Sequence, residues 1–159
     1  MQTVERSSRI WEYLPPEIQG LIIDGEMLLE QAKKQPTIVS DYSYLVFPFS
    51  KALEGFLKKF LLDLKLIRED DYYGDDIRIG RILNPHFIKE HNNVFNKLCD
   101  AQVGNNDVAE GLWAVWKRGR NQVFHYFPHN FRKLSYDESL SIIKDIIEAM
   151  SNAVLKCSV

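Results

Sequence analysis

The stretch SYDESLSIIKDIIEAMSNAVLKC, residues 135–157, decides the fold class. Ser135 followed by Glu138 has the spacing of a capping box, in which each side chain satisfies a backbone N–H of the other's turn. Behind it Leu140, Ile143, Ile147, Met150, Val154 and Leu155 recur at helical spacing, with no proline or glycine to interrupt them. A long amphipathic helix follows, and it needs partners to cover its apolar face.

Those partners lie upstream. From Lys51, the stretch KALEGFLKKFLLDLKLI places Leu53, Phe56, Leu57, Phe60, Leu61 and Leu64 on a face too wide for one neighbour. This is the expected central helix, with Ser40 and Asp41 as capping types ahead of it and Pro48 kinking it or marking a break. A first helix is expected over residues 16 to 35. It opens on Pro15-Pro16, carries Ile18, Leu21, Ile22, Met27, Leu28 and Leu29, and ends at Pro36. Gly20 and Gly25 weaken it by roughly 1 kcal/mol each.

REDDYYGDDIRIGR reads as a loop. Asn84-Pro85 offers a cap and first turn for a third helix over HFIKEHNNVFNKLCDAQ. Asp107 and Glu110 have capping-box spacing ahead of a fourth helix, VAEGLWAVWKRGRNQVFHYF, which Pro128 stops. Hairpin signals and repeats are lacking. The expectation is a single all-α domain, a bundle of about five helices over residues 1–159.

Composition bounds the function classes. The 159 residues suffice for one core, and 45% apolar with 26% charged content is that of an ordinary globular chain. A net charge of −2 gives no overall pull towards nucleic acid, so any such pull must be local. Cys99 and Cys157 make neither a disulfide framework nor a Cys-x-x-Cys zinc pattern, which suggests a reducing, cytoplasmic setting. The N-terminal residues lack an apolar run behind basic ones, so no signal peptide is expected, and charges break every apolar run before it could span a membrane.

The chemistry-bearing stretch is KRGRNQVFHYFPHN, residues 117–130. On a regular helix Arg120 and His125 stand about 140° apart, so they converge only where the helix loosens ahead of Pro128. The pair suits RNA cleavage without a metal. An imidazole takes the proton from a ribose 2′-OH while a guanidinium stabilises charge growing on the phosphate.

RNQVFH resembles the signature of the HEPN superfamily, an arginine and a histidine with a short spacer, often with an asparagine directly after the arginine, as Asn121 is here. FPFSKALEGFLK followed by RNQVFHYF is similar to the C-terminal toxic domain of the bacterial ribonuclease LS toxins, over roughly residues 40 to 150. The resemblance implies a metal-independent, cofactor-free endoribonuclease of a toxin–antitoxin or antiphage system, commonly dimeric and neutralised by a cognate antitoxin protein. It also implies a minimal version, without the N-terminal part of those longer toxins. It assigns general acid/base work to His125, phosphate stabilisation to Arg120, orientation to Asn121, and support of the cleft to Lys51 and Glu54. A single chain offers one such pair, so a homodimer with the fourth helix near the two-fold axis is expected to complete the site.

Two departures qualify that pattern. The position of Lys51 is usually arginine, and lysine cannot make a planar two-pronged phosphate contact. A subgroup carries a modifiable tyrosine two residues after the histidine, where this chain has Phe127, its tyrosine being Tyr126. Lys117, Arg118, Arg132 and Lys133 flank the motif as the expected RNA-binding set, although a basic helix end also offsets the dipole. Glu54 has a plainer reading as the partner of Lys51 or Lys58. Trp113 and Trp116 read as packing residues, and His129 and Asn130 as loop. His86 and His91 lack a carboxylate at ligand spacing, so no metal is expected. The rival function is a catalytically silent HEPN module binding nucleotide or protein.

Overall fold

A computed structural model of the chain describes residues 1–35 and 39–159. The expected stop at Pro36 lies outside them. The described residues form helices and turns without a β-strand, an all-α bundle. In chain order the α-helices are α1 (Arg9–Tyr13), α2 (Pro16–Lys34), α3 (Phe47–Asp63), α4 (Glu69–Tyr73), α5 (Ile79–Ile82), α6 (Asp107–Trp116), α7 (Gln122–Phe124) and α8 (Tyr136–Cys157). Only α2, α3, α6 and α8 reach ten residues, and short helices and 3-10 turns do the rest.

α3 is the hub. It runs along α2 and also meets α8, α5 and the turn that follows α6, which itself lies on α8. Phe49, Leu53, Phe56, Leu57, Phe60 and Leu61 are fully buried, so the wide apolar face is covered from several sides, as its width requires. Pro48 sits in the first turn of α3, where its missing N–H would have had no helical partner, so the helix starts there without a kink.

α8 forms with the expected capping box between Ser135 and Glu138. Its buried stripe is Ile142, Ile143, Ile146, Met150, Ala153 and Val154, whereas Leu155 is exposed. The apolar face is thus rotated slightly from the one the spacing suggested. α1, which no strong periodicity announced, is capped by Ser8 and buries Ile10.

The expected third helix does not form. Residues 85–103 fold as 3-10 turns at Pro85–Phe87, Phe95–Lys97 and Cys99–Val103. Asparagine side chains take the place of the helical ladder, the competition that disfavours them within helices. Asn84 Oδ1 accepts from the His86 N–H (2.9 Å), and buried Asn93 accepts from the Phe95 N–H (3.0 Å) while donating to the Asn84 carbonyl (2.9 Å). Nor do Asp107 and Glu110 make a capping box, because Asp107 is already inside α6. Its N–H donates to Asn105 Oδ1 (2.9 Å) and that of Val108 to Asp100 Oδ2 (3.0 Å). The acidic loop after α3 is also more ordered than expected, containing α4 and α5.

The cysteines are not free thiols. Cys99 and Cys157 form a disulfide that ties the last 3-10 turn before α6 to the end of α8. Packing brings them together across 58 residues of sequence, which spacing alone does not reveal. No described helix is long and apolar enough to cross a membrane.

Candidate functional site

The fourth helical stretch does not run straight through the motif. After α6 it widens into a π turn, Lys117–Asn121, in which the Gln122 N–H donates to the Lys117 carbonyl. It then resumes as α7 and ends at His125, whose backbone is extended (φ −98°, ψ 132°). Packing supplies a cause. A Cβ on Gly119 would lie 2.7 Å from Ile146 Cδ1, so the turn presses against α8 at its one glycine. The Gly119 carbonyl is drawn off by the buried hydroxyl of Ser50 on α3, which donates to it. π turns of this kind cluster at functional sites.

Consecutive residues of the turn therefore serve different neighbours. Arg118 pairs with Asp145 of α8. Arg120 faces α3, with its Nε 3.9 Å from Glu54 Oε2 and its guanidinium carbon 5.1 Å from the centre of the buried Trp116 ring. Asn121 Oδ1 accepts weakly from Arg120 Nη1 (3.4 Å). At 3.9 Å, with both side chains 40% exposed, the Arg120–Glu54 pair contributes no more than about 1 kcal/mol, which leaves the guanidinium open to a ligand.

Arg120, Asn121, Glu54, Trp113 and Trp116 line one cleft of about 270 Å³. The rest of its lining comes from residues 77–84, including Arg78, Gly80, Arg81 and Asn84. Sequence reasoning passed over Arg78, Gly80 and Arg81 as loop and took Asn84 for a helix cap. The available signal was the alternation in IRIGR, which buries Ile79 and leaves Arg78 and Arg81 at the surface. Gly80 permits the close approach, since a Cβ there would fall 2.7 Å from Trp116 Nε1. That indole nitrogen is buried and has no hydrogen-bond acceptor among the described residues.

Other expected site residues lie elsewhere. His125 is exposed and does not line this cleft, and neither does Lys51, which is exposed on α3. Beside His125 the surface is aromatic: Phe47 and Phe124 meet edge to face at 5.5 Å, and Tyr126 is 78% exposed.

Three of the four expected RNA-binding cations gather at a second cavity, of about 310 Å³. Arg118, Arg132 and Lys133 line it with the exposed Phe131. Arg132 stacks over Phe127 (4.2 Å to the ring centre). Lys117 instead reaches towards Trp113, 5.7 Å from its ring centre. The loop carrying Arg132 is fixed by Asp41. Burial pushes this carboxyl up, but hydrogen bonds from Ser43, Asn130 and the Leu134 N–H outweigh burial and hold it at about 2. Asn130 takes part in that bond with a left-handed backbone (φ 49°), a conformation asparagine tolerates better than most residues.

No family model, curated protein or solved structure matches this chain.

Proposed function

We propose that the chain is a HEPN-type, metal-independent endoribonuclease, the toxin of a toxin–antitoxin or antiphage pair. The observation that carries this reading is the meeting of Arg120 and Asn121 with Glu54 in one cleft, from segments 66 residues apart in sequence (120 minus 54). Arg120 stabilises the charge that builds on the scissile phosphate, and Asn121 and Glu54 hold its guanidinium in place. His125 exchanges protons with the ribose 2′-OH or the leaving oxygen. Lys117, close to Trp113 of the cleft, and Arg132 and Lys133 at the second cavity add phosphate contacts along the RNA strand. Arg118, already paired with Asp145, contributes less to that grip.

Because His125 stands outside the Arg120 cleft of its own chain, the reading calls for a homodimer in which a second copy completes the site. The exposed Phe47, Phe124 and Tyr126 beside His125 supply apolar surface for that contact. A cytoplasmic working form belongs to this reading, since its RNA substrate and neutralising protein would be found there. The Cys99–Cys157 disulfide counts against this part of the reading, because a reducing compartment disfavours such a bond.

The test is RNA incubation in EDTA with wild type, Arg120→Ala and His125→Ala. The expected loss is roughly 10²–10³-fold for the arginine and about 10²–10⁴-fold for the histidine. Equal cleavage by all three proteins removes the assignment. The separation of His125 from the cleft also favours a second reading, a silent HEPN module, which RNA binding without cleavage would select.

A further inference from the structure

We propose that the wall formed by residues 77–84 turns the Arg120 cleft into a seat for one nucleotide of single-stranded RNA, with Arg78 as the second phosphate-binding group. This deepens the RNA-cleavage reading and rests on it for the identity of the strand. The cleft is compact, about 270 Å³. Two indoles, two carboxamides, three guanidiniums and one carboxylate are among its lining, the groups that recognise an unstacked base with its phosphate.

The cations are not equivalent. Arg81 makes a two-pronged pair with Glu90 (2.9 and 2.6 Å), so its charge is already answered. Arg78 is exposed and donates only to the Asp75 carbonyl (3.0 Å), with no carboxylate in ion-pair range among the described residues. Arg120 has a long contact to Glu54 and a weak hydrogen bond to Asn121 Oδ1, with no close carboxylate. Arg78 and Arg120 are therefore the guanidiniums free to take a phosphate, and they come from two different segments of the lining.

The carboxamides are set to donate. Asn84 Oδ1 is used by the His86 N–H and Asn121 Oδ1 by Arg120, which leaves both Nδ2 groups for ligand oxygens. Trp113 is half-exposed at the rim and gives the base a face to stack on, while Glu54 can accept from an amine or hydroxyl.

The experiment is a binding titration of the full chain with a fluorescent 2′-O-methyl tetranucleotide, which cannot be cleaved through its 2′-oxygen. Arg78→Ala should weaken binding about tenfold. It should also lower the slope of log K against log salt by about 0.7. Arg78→Lys should restore the salt slope and only part of the affinity, because it keeps the charge without the fork. Binding should quench tryptophan fluorescence, and Trp113→Phe should remove much of that quench.

Since Arg78 is exposed, an unchanged thermal midpoint is expected for its variants. Wild-type affinity and salt slope in Arg78→Ala overturn the proposal. If the oligonucleotide binds in the expected pattern while unmodified RNA stays intact, the seat stands and the cleavage reading falls. If Arg78→Ala binds and cuts RNA as wild type does, the seat falls and the cleavage reading stands.

Discussion

α8 and the π turn Lys117–Asn121 pack against each other but follow opposite rules. Along α8 the residues with a common task recur every third or fourth position, so Ile142, Ile143, Ile146, Met150 and Val154 all face one core. In the π turn three consecutive residues reach four partners: Arg118 meets Asp145, Gly119 meets Ser50 and Ile146, and Arg120 meets Glu54. A regular ladder concentrates many residues on one surface. Arg118 and Arg120, two positions apart, leave nearly opposite faces of any helix, and in this turn, with no shared stripe to serve, they line two different cavities. The difference makes α8 a stability element and the turn a positioning element, and each half of that statement can be broken separately.

The largest effect is expected on the regular side. Met150 is fully buried in the middle of α8, and Met150→Ala removes its contacts and leaves a cavity. The expected loss is about 2–5 kcal/mol in urea unfolding. A loss below 1 kcal/mol would mean that the α8 stripe is not the core face described above.

The next effect falls on the turn itself. Gly119→Ala drives a methyl group into Ile146 Cδ1, at an ideal separation of 2.7 Å, on the carbonyl side held by Ser50. Overpacking of this kind costs about 1–3 kcal/mol. Trimming the neighbour with Ile146→Val should recover part of that loss, a coupling that thermal melts of the two single variants and the double variant would measure. Additive losses would show that glycine is not what lets the turn lie against α8.

These contrasts also explain what was legible in the sequence. α2, α3 and α8 could be read because their apolar periodicity and start signals agree, and agreement between levels is what specifies a helix. Residues 85–103 misled because Asn84 and Asn93 divert backbone bonds into side-chain turns, a competition that apolar spacing does not register. Within the candidate site, Glu54 and Arg120 could be named from their segments, and the structure puts them in one cleft. The rest of the lining could not be named, because Arg78 and Asn84 acquire a role only when residues 77–84 fold back over Trp116. The Cys99–Cys157 pairing was hidden for the same reason, being a product of tertiary packing.

The smallest expected effect tests how the turn's surroundings are held. Asp41 accepts from Ser43, Asn130 and the Leu134 N–H, tying the loop after the motif to the start of α3. Its folded pKa, about 2, lies below the roughly 3.9 of an unperturbed aspartate. The unfolded chain therefore binds the proton more readily, so the stabilisation is fully present above about pH 4 and is lost as pH falls towards 2. Screening by solvent at this partly exposed site limits the contribution to at most about 1 kcal/mol. Glu26, Asp107 and Glu138 are also held below their ordinary range, so a melt of wild type alone mixes several titrations. The informative quantity is the difference in thermal midpoint between wild type and Asp41→Asn, followed from pH 6 to pH 2. That gap should close over the acid interval, because protonated Asp41 and asparagine are both neutral there. A gap that is constant with pH would show that Asp41 holds the loop through its shape, with no contribution from its charge.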